Sequence, residues 1–403
     1  MIYCGKTDMK YTLIILTAVI LSMAAASANA KDRARDLGVP FEGSPGRWNA
    51  ITDVAGVEVG HATIIEGDGA LEIGKGPIRT GVTAIFPLGK EGRRGVPAGW
   101  FSLNGAGEIT GIVVIDEFGM TYGPIMITNT VSIGTVRDAT IKWCVSGRTD
   151  PNERFSCIVP VVTETWDGAL NDTFGFHVRE KHVLEAINAA SSGPVAEGNV
   201  GGGTGMITYA FKGGIGTASR VLPQEQGGHT VGVLVQANHG SRHVLKVAGL
   251  PVGYEISDLM PERPTGTSSK RDEGKDRDGS IIITIATDAP LAPHQLQRIA
   301  RRASHGLART GAVSGSGSGD IFVAFSTRNT VAPFGAGTEL KISAISDERI
   351  TPLFEATVQA TEEAIINAMV AADTMTGANG LTVYGLPHDR LRAILKKYNR
   401  LVD

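Results

Sequence analysis

The sequence predicts an α+β fold of layered sheets and helices, on three observations. Fifty-two glycines among 403 residues, about 13% against an ordinary ~7%, punctuate short apolar runs without forming a repeat. Helical periodicity is confined to a few segments, most of them late in the chain. Strands also lie on both sides of one long charged loop, so sheets and helices are grouped rather than alternating as regular βαβ units.

The expected strands are Gly81–Phe86, Gly111–Ile115, Ile125–Ile127, Ile158–Val162, Met206–Phe211, Thr230–Gln236, Ser280–Ala286, Ile321–Phe325 and Leu340–Ile345. Each is a short apolar, often β-branched run, most bounded by turn residues. Gln295–Arg309 reads as a helix: Leu296, Ile299, Ala300, Ala303 and Leu307 share one face, Pro293 lies near its start and Gly311 just past its end. Phe354–Ala372 is a longer helix that stops before Thr376-Gly377. Val178–Ala190 and Asp389–Tyr398 complete the helical set. Residues 262–278 carry nine charged side chains, from Arg263 to Asp278, and little to bury. That segment reads as a solvated processing loop within one domain.

Lys6 and Lys10, the apolar run Leu13–Met23 and the small-x-small site Ala28-Asn29-Ala30 make residues 1–30 a secretory signal peptide. Met9-Lys10 reads as the true start. Removing 30 residues from 403 leaves 373, exported to the periplasm or beyond. The net charge of −3 becomes −4 once Lys6, Asp8 and Lys10 leave, and no polybasic stripe points to nucleic acid. Cys144 and Cys157 remain after Cys4 departs. An oxidising compartment permits a bridge between them, and two unpaired core thiols are the alternative.

Asp278-Gly279-Ser280 leads from the charged loop straight into an apolar strand. Gly279 takes strained backbone shapes cheaply, and cutting the 279–280 bond would free the amine of Ser280 beside its own hydroxyl. Residues 315–327, GSGSGDIFVAFST, run a Gly/Ser loop into Asp320 and a strand. Ser318 and Asp320 straddle one glycine, so in extended backbone their side chains point the same way and could orient a neighbouring amine or hydroxyl. Glu164 and Trp166 end an apolar strand, a carboxylate for a cation beside an aromatic wall. Asn238 ends another, and its amide hydrogens could serve an oxyanion. The Gly-rich run 199–220 lacks the G-x-x-x-x-G-K-[ST] pattern and reads as tight backbone lining a small-molecule pocket. His239 and His243 read as loop or surface histidines. No close His/Cys/Asp/Glu cluster suggests a metal, and no G-x-S-x-G elbow is present.

Together these segments resemble the DmpA / β-peptidyl aminopeptidase family of self-processing serine hydrolases. NAITDVAGVEVGHATI (49–64), RTGVTAIFP (79–87), FSLNGAGEITG (101–111), NTVSIGTVRDA (129–139), VLVQANHG (233–240), DGSIIITIATDAP (278–290) and GSGSGDIF (315–322) occur in the expected order over nearly all the mature chain. The resemblance implies a four-layer α/β/β/α sandwich of the DmpA/ornithine acetyltransferase type. It implies one catalytic domain cut into an α chain, 31–279, and a β chain, 280–403, which stay together and assemble as a homo-oligomer. Ser280 would be the nucleophile, supported by Ser318 and Asp320, with Asn238 in the oxyanion hole and Glu164 on the substrate ammonium. No metal or organic cofactor is implied.

Two departures bear on the branch. The acidic partner is Glu in the β-peptidyl branch and Asp320 here, and Trp166 stands where the DmpA-like branch has Tyr, which leans the chain toward the β-peptidyl branch. The expectation is therefore an exported aminopeptidase that releases N-terminal β-amino acids from short peptides and amides. The alternatives are an L-aminopeptidase/D-esterase-amidase of the DmpA type and a non-catalytic periplasmic peptide-binding protein. A related acyltransferase such as ornithine acetyltransferase normally uses threonine in cytoplasmic arginine synthesis, against which Ser280 and the signal peptide both speak.

Overall fold

A computed structural model describes residues 31–146, 157–264, 279–332 and 341–402. The expected signal peptide, residues 265–278 of the charged loop and Leu340 lie outside them.

Ten strands form two sheets. The first contains β1 (Glu58–Glu66), β2 (Ile78–Phe86), β5 (Ile125–Asn129) and β6 (Val161–Thr165), with β5 and β6 its parallel pair. The second contains β3 (Val96–Gly105), β4 (Met120–Thr121), β7 (Gly214–Val221), β8 (Thr230–Asn238), β9 (Ser280–Thr287) and β10 (Gly319–Ser326). Its order is β4-β3-β10-β9-β8-β7, and β9–β10 is its parallel pair. The helices are α1 (Ile112–Phe118), α2 (Ile133–Ser146), α3 (Glu180–Ala189), α4 (Val252–Glu255), α5 (Pro293–Arg309), α6 (Thr351–Val370) and α7 (His388–Lys397).

The side-chain period of two along each strand sorts the residues into layers. On β9, Ile281, Ile283 and Ile285 join α5 and α6 in one core, while Ile282 and Ala286 face Ile85, Ile125 and Ile127 of the other sheet. Val82, Ala84 and Met126 on the outer face of the first sheet meet Val136 of α2 and Val183 and Ala186 of α3. The result is helix, sheet, sheet, helix, as the sequence predicts. Ser280 keeps step with Ile282 and Asn238 with Leu234, so both lie at the rim of the inter-sheet layer.

The glycine excess has a packing reason. A Cβ on Gly60 would lie 2.1 Å from the Ala186 carbonyl oxygen, and one on Gly216 2.0 Å from that of Ala364. Bare backbone at these positions lets α3 and α6 lie directly on the sheets. A buried ionic group ties the N-terminal segment to this frame: Glu363 of α6 accepts from Arg35, Asn49 and Arg220, with Arg220 Nη2 at 2.7 Å.

Three expected strands differ. Residues 111–115 form the start of α1, because Gly111 and Gly119 turn the chain left-handed at both ends and Ile115 alone of the helix is buried. Met206–Phe211 is broken by Tyr209 and Ala210 at φ 52° and 58° into two short rungs, Ile207–Thr208 and Phe211–Lys212. The described residues 341–345 run without regular structure and are largely exposed. Strands β1, β3 and β7 are additions, and the four expected helices stand within a few residues of their predicted ends.

Candidate active site

Ser280 is the first residue of β9, and its position follows from pairing on both sides. Asn238, the last residue of β8, lies directly opposite it in antiparallel register, and Ile281 pairs with Asp320 of β10 in parallel. The strand switch therefore brings Asn238, Ser280 and the start of β10 to one sheet end. The Gly319 amide donates to Ser280 Oγ at 3.1 Å. Ser318 donates its hydroxyl to Asp320 Oδ1, so the two side chains that alternation places on one face do meet. Both are buried.

Asn238 is held at both ends of its amide. Its Oδ1 accepts from the Ile207 amide at 2.8 Å, and its Nδ2 donates to the Trp166 carbonyl at 3.0 Å. The side chain is thus pre-oriented, as an oxyanion donor must be.

Gly279 is required for a different reason than the strain expected from sequence. Its φ lies outside the left-handed region, but a Cβ there would sit 1.8 Å from the Asn238 carbonyl oxygen. Close approach, not an unusual turn, excludes a side chain at the bond to be cut.

Ser280 opens onto a cavity of about 650 Å³, within the usual range for small-molecule sites. Asn238, Glu164, Trp166 and Gly279 line it as well. Glu164 is 4% exposed. Its Oε1 accepts from the Glu108 amide at 2.9 Å and its Oε2 from the Thr130 hydroxyl. Burial nevertheless pushes its carboxyl above the ordinary range, and those two hydrogen bonds pull it partly back. A buried carboxylate of this kind gains from a cationic ligand. Trp166 is 37% exposed and packs edge-on against Phe174, so an apolar wall stands beside the carboxylate.

The turn at 105–108 was not singled out as a site element. It joins the two halves of the site: the Ala106 amide donates to the Ser318 carbonyl, and the Glu108 amide to Glu164. A Cβ on Gly107 would lie 3.2 Å from both Glu164 Oε1 and Gly319 Cα. The Gly-Ala-Gly of FSLNGAGEITG was the visible signal, but its neighbours are more than fifty residues away in sequence.

The Gly-rich run is a partial correction. Gly201, Gly202 and Gly203 are buried in a tight turn near Thr83, Gln236 and Ile215, and among the residues of this run Ile207 and Ala210 reach the cavity. Lys212 is fully buried, donating to the Met206 and Gly213 carbonyls at 2.7 and 2.9 Å, and burial lowers its pKa to about 7. The loop closes on its own ammonium. His239 is a second correction: it is buried against Tyr209, ring centroids 5.0 Å apart, and burial drops its pKa to about 3. His243 is exposed as expected. Cys144 and Cys157 are paired in a disulfide, Cα atoms 5.9 Å apart.

Comparison with known proteins agrees with this geometry. Residues 49–383 match the model of peptidase family S58. The chain is 55% identical to the β-peptidyl aminopeptidase BapA of Sphingosinicella microcystinivorans over 98% of both chains. It is 53% identical to the BapA of Sphingosinicella xenopeptidilytica over 95% of this chain and 96% of that one. Among solved structures it superposes at TM-score 0.83 and 47% identity on the L-aminopeptidase D-Ala-esterase/amidase of Ochrobactrum anthropi. That match covers 92% of this chain and all of the other, a prototype serine aminopeptidase with a variant of the Ntn hydrolase fold. The chain belongs to peptidase family S58 and is a serine aminopeptidase of the N-terminal-nucleophile type.

Proposed function

We propose that the chain is a precursor that cuts itself between Gly279 and Ser280 and then releases N-terminal β-amino acids from short peptides and amides. The carrying observation is the placement of Ser280 opposite Asn238, on the same cavity as the buried carboxylate of Glu164. In self-cleavage, Ser280 Oγ attacks the Gly279 carbonyl carbon and the C–N bond breaks. The resulting ester is hydrolysed by water, leaving an α chain ending at Gly279 and a β chain beginning with the Ser280 amine.

In turnover the same hydroxyl attacks the substrate carbonyl, and the freed α-amine or the Ser318 hydroxyl relays its proton to the leaving amine. Asp320 holds Ser318 through their hydrogen bond. Asn238 Nδ2 carries two hydrogens and serves the oxyanion. Glu164 pairs with the substrate ammonium, which an internal amide lacks, and this restricts attack to the N-terminal residue. One extra methylene separates amine from carbonyl in a β-residue, so the Glu164-to-Ser280 spacing, set through the 105–108 turn, selects the backbone. The β preference is supported by the 55% and 53% identity to two β-peptidyl aminopeptidases and by Trp166.

Export follows from the signal peptide at residues 1–30, and the Cys144–Cys157 bridge supports an oxidising compartment. Assembly of αβ units into a homo-oligomer is supported by exposed Val113 and Phe118 on α1. The decisive experiment is mass spectrometry of the purified protein with hydrolysis of a β-homoamino-acid anilide and an L-alanine anilide. Ser280→Ala should give one uncut, inactive chain. An intact wild-type chain with full activity would refute the self-cleavage, preference for the L-anilide would favour the L-aminopeptidase reading, and peptide binding without hydrolysis would refute both.

A further inference from the structure

The cavity carries charge of both signs on different walls. Glu108 and Glu164 lie on the side of the 105–108 turn, and Arg263 is the one cationic residue among its described lining residues. Arg263 sits beside Met260 and Pro261, next to the segment where Glu262 pairs with Thr382. Its Nη1 donates to the Ala378 carbonyl at 3.2 Å, which anchors the head group at the cavity wall. Ser280 and Asn238 line the same cavity.

A site with a carboxylate for the ammonium at one end needs no cation to bind an amide or anilide. The guanidinium matches instead the group that a di- or tripeptide carries and its amide lacks, a free C-terminal carboxylate, which arginine holds through directional charge-assisted hydrogen bonds. We propose that Arg263 recognises the C-terminal carboxylate of the substrate, so that the enzyme prefers short zwitterionic peptides to amides or long chains. This rests on the aminopeptidase reading with Glu164 at the ammonium. Arg263 touches the departing part of the substrate, and its effect should appear in KM.

The test measures hydrolysis of β-alanyl-leucine, β-alanyl-leucinamide and β-alanyl anilide, with the L-alanyl counterparts in parallel. Wild type and the variants Arg263→Gln and Arg263→Lys are compared. In whichever backbone series is cut, wild type should favour the free acid over the amide by ~10-fold or more in kcat/KM. Arg263→Gln should bring that ratio near one by raising KM for the acid, with amide and anilide rates within about twofold of wild type. Arg263→Lys should keep part of the preference. Equal wild-type rates on acid and amide would overturn the proposal; the guanidinium would then be neutralised by another group, such as the Gly279 carboxylate released by cleavage. A preference that survives Arg263→Gln would overturn it too. Anilide turnover reports separately on the aminopeptidase reading, and the L series on the β preference.

Discussion

Gly279→Ala tests the geometry of self-cleavage without touching the mature nucleophile. The added Cβ would lie 1.8 Å from the Asn238 carbonyl oxygen, 2.7 Å from its carbon and 2.9 Å from His239 Cα, all backbone atoms that cannot rotate away. An ordinary carbon–oxygen contact needs about 3.3–3.6 Å, so the peptide to be cut must shift by roughly 1.5 Å. Misplacement of reacting atoms by ~1 Å costs on the order of 10²-fold, or about 2.7 kcal/mol of barrier. Overpacking of ~1–3 kcal/mol accompanies it. The precursor should therefore mature at least ~100-fold more slowly, followed by denaturing gels and intact mass over time. Once cut, the β chain is identical to wild type, so turnover per mature molecule should recover. Maturation of Gly279→Ala at the wild-type rate would show that the β8–β9 pairing does not position the scissile bond.

Three further outcomes follow. Asn238→Ala removes an oxyanion donor and should lower turnover by ~10²–10³-fold while the protein stays folded; Asn238→Asp, which keeps an acceptor for the Ile207 amide, should be no better. Because burial raises the Glu164 carboxyl, its ammonium-binding form is lost as pH falls through a value above the ordinary ~4.3. KM for free-amine substrates should rise there, and Glu164→Gln should flatten that profile, weaken free-amine substrates far more than self-cleavage, and leave an N-acetylated control unaffected. Glu363→Ala strands the buried Arg220 and should cost ~3–5 kcal/mol in denaturant unfolding. The wild-type carboxyl is pushed up by burial, but Arg220 and Arg35 outweigh this and hold it below its usual value. Its contribution is therefore full above the unfolded pKa near ~4.3 and is lost as pH falls through the folded one.

Local signals in the sequence determined much of this protein. The apolar run after Gly279-Ser280, the Ser318-Gly319-Asp320 alternation and the helix at Gln295–Arg309 depend on neighbours in the chain and on periods of 2 and 3.6, and each stands in the structure. The layer order followed from strand runs and grouped helices, and the family from ordered motifs. Tertiary structure alone decided the rest, because those contacts join residues distant in sequence. Residues 111–115 have the composition of a strand, yet two left-handed glycines and contact with the Pro160 carbonyl turn them into a helix. His239 has the polarity of a surface residue, but continuing β8 past Asn238 carries it beneath Tyr209. Gly279 is read in sequence as freedom to bend; in the fold it is the absence of a Cβ where the backbone of β8 passes too close for one. Glu164 meets Glu108 across fifty-six residues, and Ser280 meets Gly319 across thirty-nine. Only packing of the two sheets could bring them to one cavity, since no local periodicity encodes which loops share a sheet end.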